Sequence, residues 1–373
     1  MTLKKELIEE MVVSGRSTSL AEAGDEALGP LGMLPGTWEN TKELDGFGFN
    51  MMALPFADDP TVPPNGYRLL MNQYNEVLDF SLVDKGVPNR GLDRDPVAGG
   101  ADQTIVALEY FQKITQLNSD DSPQTGLNDR FDKQAIHKEP GLWLYMTDHQ
   151  TDGINIARLG TIPHGNSFLA AGRVDEDFWP LQNPTEDQRS GIIPNINGVV
   201  VGGGEDPDEV DLEPAYFAPY KHFHENPFKG KVNIPGYNGF DPVHATDLLR
   251  LALEKVIASV GEIKQVMRLH VDSTTDHSGV KRFTHNGIVN IPFVVRQADA
   301  TAMNSTFLIY EVLDKESGKT RYFMQYAQNV ILDFIGRPDG HPGRARWPHI
   351  SINTMERVGD ASKEGVMKGL LSQ

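Results

Sequence analysis

Between residues 32 and 358, short runs rich in β-branched and aromatic residues alternate with clusters of Gly, Pro, Asn and Asp. No other feature restricts the fold as strongly, because runs of that length bounded by turn formers read as strands. They fall at 47–54, 67–83 (interrupted around Asn72 and Asn75), 103–115, 134–146, 154–162 and 166–173. A second set follows at 264–273, 286–297, 303–314, 320–334 and 347–357. Within either set no helical segment separates successive strands, so parallel βαβ units are not expected. "EVLDKESGKTRYF" forms a hairpin with its turn at 315–318. The expectation is a mainly β chain, a single antiparallel barrel of about ten strands with a long loop insertion and one or two helices, because closure removes exposed edges and leaves room for one small ligand.

On this reading residues 1–30 are an N-terminal helix and arm, with the helix over 3–14 carried by Leu3, Leu7, Ile8, Met11 and Val12. Residues 31–357 are the barrel domain and 358–373 a tail. Inside the domain, 31–173 supply the first strand set, 174–242 a Pro- and Gly-rich insertion, 243–261 a helix, and 264–357 the second set. The insertion has no stable period, yet its Phe178, Trp179, Tyr216, Phe217, Tyr220 and Phe223 must pack on something; a lid over the barrel mouth is its functional version. The stretch 241–263 is the clearest helix, with Leu248, Leu249, Leu251, Ala252, Leu253, Val256 and Ile257 on a broad apolar face. Pro242 suits its first turn and Gly261 its C-cap.

Charge narrows the partners. A formal net charge of −18 argues against nucleic acid and anionic membrane surfaces, both of which require clustered Lys and Arg. With no cysteine, disulfides, thiolate-bound metals, iron–sulfur clusters and thiolate haem are all excluded. The first residues carry charges through their apolar positions, and no run reaches the roughly 18 apolar residues a spanning helix needs, so a cytoplasmic protein is expected.

Gly36-Thr37-Trp38 resembles the opening of lipocalin, fatty-acid-binding and nitrobindin-like barrels, in which the tryptophan closes one end. "LPGTW", "GFGFN", "GVPNRG", "KEPGLWL", "GTIPHGNS", "NIPF" and "WPHISI" together look like a family of bacterial and fungal proteins described as haem-binding or peroxidase-like, over roughly 29–173 and 264–357. One departure from nitrobindins is that residues 39–44 intervene before Gly46 and Gly48. The resemblance implies haem b held by one histidine, and peroxidase-like or peroxide-dependent oxidation of a small apolar molecule.

Several residues could carry such chemistry. Strand alternation in "RWPHISIN" places Trp347, His349, Ser351 and Asn353 on one face and Ile350 and Ile352 on the other. If the first face is the cavity, His349 reaches a haem iron with Trp347 packed nearby. His164 sits in a turn between two strands, with Asn166 and Ser167 able to set its tautomer, and is the other candidate axial ligand or a distal acid/base. Gln325 and Gln328 are amides in an apolar strand; buried amides need partners, so they are candidate catalytic groups facing a ligand. His222 and His224 have metal-ligand spacing if their segment is extended, the basis of a metal-enzyme alternative. His137 and the remaining histidines show no pairing. A cofactor-free barrel that binds or cyclises an apolar molecule is the second alternative. No phosphate loop and no nucleophile elbow occurs.

Overall fold

A computed structural model describes residues 16–56, 66–89, 103–126, 131–148, 153–174, 181–182, 211–275, 287–292, 297–336 and 341–360. The expected helix over 3–14, the insertion residues Phe178 and Trp179, and the tail beyond residue 360 lie outside the described residues.

Among those residues the strands are β1 (Ser17–Leu20), β2 (Gly36–Glu39), β3 (Gly48–Pro55), β4 (Tyr67–Pro88), β5 (Thr104–Ser122), β6 (Ala135–Met146) and β7 (Ile156–Ile162). They continue as β8 (Asn166–Val174), β9 (Leu181–Gln182), β10 (Gly261–Asp272), β11 (Ile288–Asn290), β12 (Asp299–Asp314), β13 (Thr320–Gly336) and β14 (Arg344–Gly359). Neighbours pair antiparallel in the order β8-β7-β6-β5-β4-β2-β14-β13-β12-β10, and β10 pairs back onto β8 through Leu269↔Val174 to Asp272↔Ala171. The ring therefore closes with ten positions. β2 and β3 share one of them: both lie between β4 and β14, β2 beside residues 77–80 and β3 beside 67–74. The expected single antiparallel barrel of about ten strands is the fold, and the two strand sets form its two halves.

The strand boundaries shift for identifiable reasons. β4 runs unbroken through Asn72 and Asn75, because Asn72 donates inward to Asn50 at 2.9 Å and Asn75 outward to Asp45 at 2.6 Å. "GTWE" is a strand in its own right. Gly36 at φ 118° is required there, since a Cβ would stand 2.5 Å from the Gly359 carbonyl oxygen.

The two faces of the wall pack on different partners. Outward residues of β3, β12, β13 and β14, among them Phe49, Met51, Leu308, Tyr310, Ile350 and Ile352, form a core with residues 211–260. That segment carries α1 (Ala218–Glu225) and α2 (Asp247–Ala252), which continues through a π turn at Leu253–Ile257 and a last turn at Ala258–Val260. Leu249 and Ile257 are fully buried, each contributing about 2 kcal/mol of transfer free energy. Helix α2 begins later than Pro242. Gly261, expected as its C-cap, is instead extended and opens β10, pressed so close to β12 that a Cβ would meet the Leu313 carbonyl oxygen at 1.9 Å.

Inward residues fill one end of the lumen. Trp38 is fully buried among Leu28, Leu31 and Leu34 of the preceding segment and Leu78, Phe80, Leu108, Trp143, Ile309, Met324 and Met355 of the walls. Its indole N–H donates to the Leu34 carbonyl at 2.8 Å, which satisfies the one polar atom the plug would otherwise bury unpaired. The tryptophan closes this end, as expected. On β14 its register partner is Arg357, eight residues from His349 and so roughly 26 Å further along the strand. The lumen is not an open apolar tube throughout: this end is solid.

Candidate functional site

Above the plug lies a polar layer whose members come from facing walls. Arg158 on β7 donates to Glu139 of β6 (Nη2 to Oε1, 2.9 Å), to the Tyr110 hydroxyl of β5 (3.1 Å) and to Gln328 of β13 (2.7 Å). Its guanidinium lies 5.2 Å from the ring centroids of Tyr110, Phe168 and Phe307. Tyr110 also donates to Glu139 Oε1. Burial alone would push the Glu139 carboxyl up, but the charge of Arg158 and these hydrogen bonds hold it below the usual carboxylate range.

A second carboxyl has no such cation. Glu76 on β4 accepts from Tyr326 (2.6 Å), Gln112 (2.7 Å) and Asn353 (2.9 Å), and Tyr326 shares a 2.9 Å hydrogen bond with Tyr74. Here burial wins, and the Glu76 carboxyl is raised. Sequence reading missed this layer. The available signal was a charge at an inward position inside an apolar strand: Glu76 in "NQYNEVLDF", Arg158 in "NIARLG", and His137 two residues before Glu139.

Beyond the polar layer the lumen opens into an upper chamber. Its walls carry Asn72, Ile114, His137, Ile162, Phe168, Met303, Val330, His349 and Ser351, placed inward by register with members of the polar layer. His137, Ile162, Val330, His349 and Ser351 face inward yet keep part of their surface accessible.

His349 occupies the position strand alternation assigns it. Ser351 and Asn353 share its inward face, while Ile350 and Ile352 point out into the second core. Its Nε2 is buried and has no hydrogen-bond partner among the described residues, nor has Asn72 Oδ1 in the same chamber. Buried polar atoms are nearly always paired; Tyr220, Tyr237 and Asn329 also carry unpaired atoms, and His349 is the histidine among them. Desolvation, with His137 and His164 nearby, brings the His349 imidazole down to about 4, so it is neutral at pH 7.

The other expected residues distribute as follows. His164 sits exposed at the β7–β8 turn on the chamber rim, its ring 5.7 Å from that of His137. Trp347, expected on the face of His349, is grouped instead with Ile350 and Ile352 in the outer core, packed on Tyr67 (4.3 Å), Phe334 (5.5 Å) and Tyr220 of α1 (5.9 Å), and donates its indole N–H to the Phe334 carbonyl. Through Phe217 and Tyr220 the insertion packs on this cluster. Gln328 faces the lumen but is engaged by Arg158.

Gln325 does not join them. It points outward, accepting from Tyr310 (2.9 Å) and donating to the Leu249 carbonyl (2.8 Å), and so pins α2 to the barrel. His222 and His224 lie on α1, where residues two apart do not share a face, and His224 is turned to Asp241 at 3.0 Å. The extended spacing that suggested a metal pair is absent. Among the described residues no group of three or more His, Cys, Asp or Glu is placed to hold a bare metal ion. An open depression of about 420 Å³ beside β6 and β7 is lined by Ala135, Ile136, His137, Lys138, Pro140, Thr161 and Pro163.

No known protein family matches the chain. No curated protein matches it either. Among solved structures, Rv2717c from M. tuberculosis superposes with a TM-score of 0.30 at 11% identity, over 89% of this chain and 95% of that one, a likeness too slight to bear on the chemistry. Among the described residues no helix is long and apolar enough to cross a membrane.

Proposed function

We propose that the barrel binds haem b in its upper chamber through the imidazole of His349. The observation that carries this reading is the buried, unpartnered His349 Nε2, held neutral by desolvation, which is the form in which imidazole ligates iron. Ile114, Phe168, Met303 and Val330 supply the apolar lining a porphyrin face requires. No cysteine competes for the metal. A haem on a single neutral histidine supplies peroxidase-like, peroxide-dependent oxidation of small apolar molecules. The chain's own part is to hold the group, keep water from its buried face and place polar side chains beneath it.

Hemin titration tests the reading. A Soret band saturating at one equivalent in the wild type, abolished in His349→Ala and kept in His164→Ala, is the expected result. A band of equal strength in His349→Ala, or none in the wild type, overturns it.

A further inference from the structure

We infer that His137 is the proton-transfer group of the upper chamber and that Glu139 is the residue that positions it. The inference rests on the haem reading of the same chamber. Glu139 divides its two oxygens: Oε1 takes the hydrogen bonds of Tyr110 and Arg158, and Oε2 is left for His137 Nε2 at 3.3 Å. Arg158 keeps that carboxyl ionised, so Oε2 is an acceptor and the His137 proton belongs on Nε2. The lone pair is then on Nδ1, for which no partner occurs among the described residues. A carboxylate that fixes the tautomer and steadies the imidazolium is the usual arrangement for a histidine base.

A purely structural His137 is the poorer account. Pairing the buried Glu139 Oε2 accounts for Nε2 of His137 alone; the Arg158–Glu139 pair is otherwise held by its mutual bond, Tyr110 and Gln328, and His137 keeps part of its surface exposed. What distinguishes His137 is its place on the chamber wall, near enough to lower the basicity of His349 and 5.7 Å ring to ring from His164.

The step is a proton transfer and nothing else. A small protic ligand entering the chamber, hydrogen peroxide or hydrogen cyanide, loses its proton to His137 Nδ1. The O–H or C–H bond breaks and the N–H bond forms. The conjugate anion remains in the chamber, and the imidazolium charge is balanced by Glu139 until the proton is returned.

The test uses hemin-loaded full-length protein with cyanide as the probe, followed by stopped-flow absorbance at pH 7. His137→Gln should keep the wild-type Soret band and slow cyanide association roughly 100-fold, the usual scale of a positioned acid or base. Equal rates with an unchanged band overturn the inference and leave the haem reading standing; no band in the wild type overturns both. If His137→Gln does not fold, the imidazole ¹⁵N shifts of the hemin-free wild type decide. A neutral Nε2–H tautomer at His137 that is lost in Glu139→Gln supports the assignment, and an Nδ1–H tautomer in the wild type refutes it.

Discussion

Arg158 of β7 and Gln328 of β13, four positions apart around the ten-position ring, are joined across the lumen by a 2.7 Å hydrogen bond. With Tyr326 reaching Glu76 from the opposite direction, this bond makes the middle of the barrel a bulkhead of charges and amides. The bulkhead separates the apolar plug from the end of the lumen that carries His349.

Arg158 should therefore matter to stability out of proportion to one ion pair. Arg158→Met leaves Glu139 buried and uncompensated, and we expect a loss of about 3–5 kcal/mol in urea unfolding. Adding Glu139→Met should recover most of it, because the desolvation cost disappears with the second charge. A double variant as unstable as the single one would contradict this.

The depressed His349 imidazole sets a pH window. Its ordinary value is 6.5 and its folded value about 4, so between those two the unfolded chain binds a proton that the native chain does not. Native stability must fall as pH drops from about 6.5 towards about 4, by about 2–3 kcal/mol for this group, the lower figure allowing for solvent in the chamber. Hemin-free His349→Gln, which cannot titrate, should lack that part of the acid limb. Parallel pH curves for the two proteins would show that His349 is not desolvated.

Much of the barrel is readable from alternation, because an antiparallel wall with different partners on its two faces imposes period two on every strand. His349, Ser351 and Asn353 were placed correctly for that reason. Gln325 was not: alternation separates two faces but does not say which is inside, and here both faces of β13 are buried, one on the lumen and one under α2. Glu76 and Arg158 were missed because their partners Tyr326 and Gln328 stand on a strand 250 and 170 residues away, which no local pattern reveals. α1 defeated the extended reading of His222 and His224 because Pro219 at a helix start and the apolar pair Tyr220 and Phe223 outweigh the surrounding loop composition.

Gln325 offers a control for the site. Gln325→Leu leaves the buried Tyr310 hydroxyl without its acceptor and removes the side-chain donor to the Leu249 carbonyl, so we expect about 1–3 kcal/mol of lost stability and faster amide exchange in α2. Hemin affinity should not change. A variant that folds as the wild type does yet binds hemin differently would place Gln325 at the chamber after all.

Cavity rescue asks directly whether the His349 nitrogen is the ligand. His349→Gly is mixed with hemin and its absorption spectrum recorded before and after free imidazole is added. We predict no Soret band from the variant alone and its return with imidazole, which enters the space the side chain vacated. A wild-type band in His349→Gly without imidazole would contradict the account.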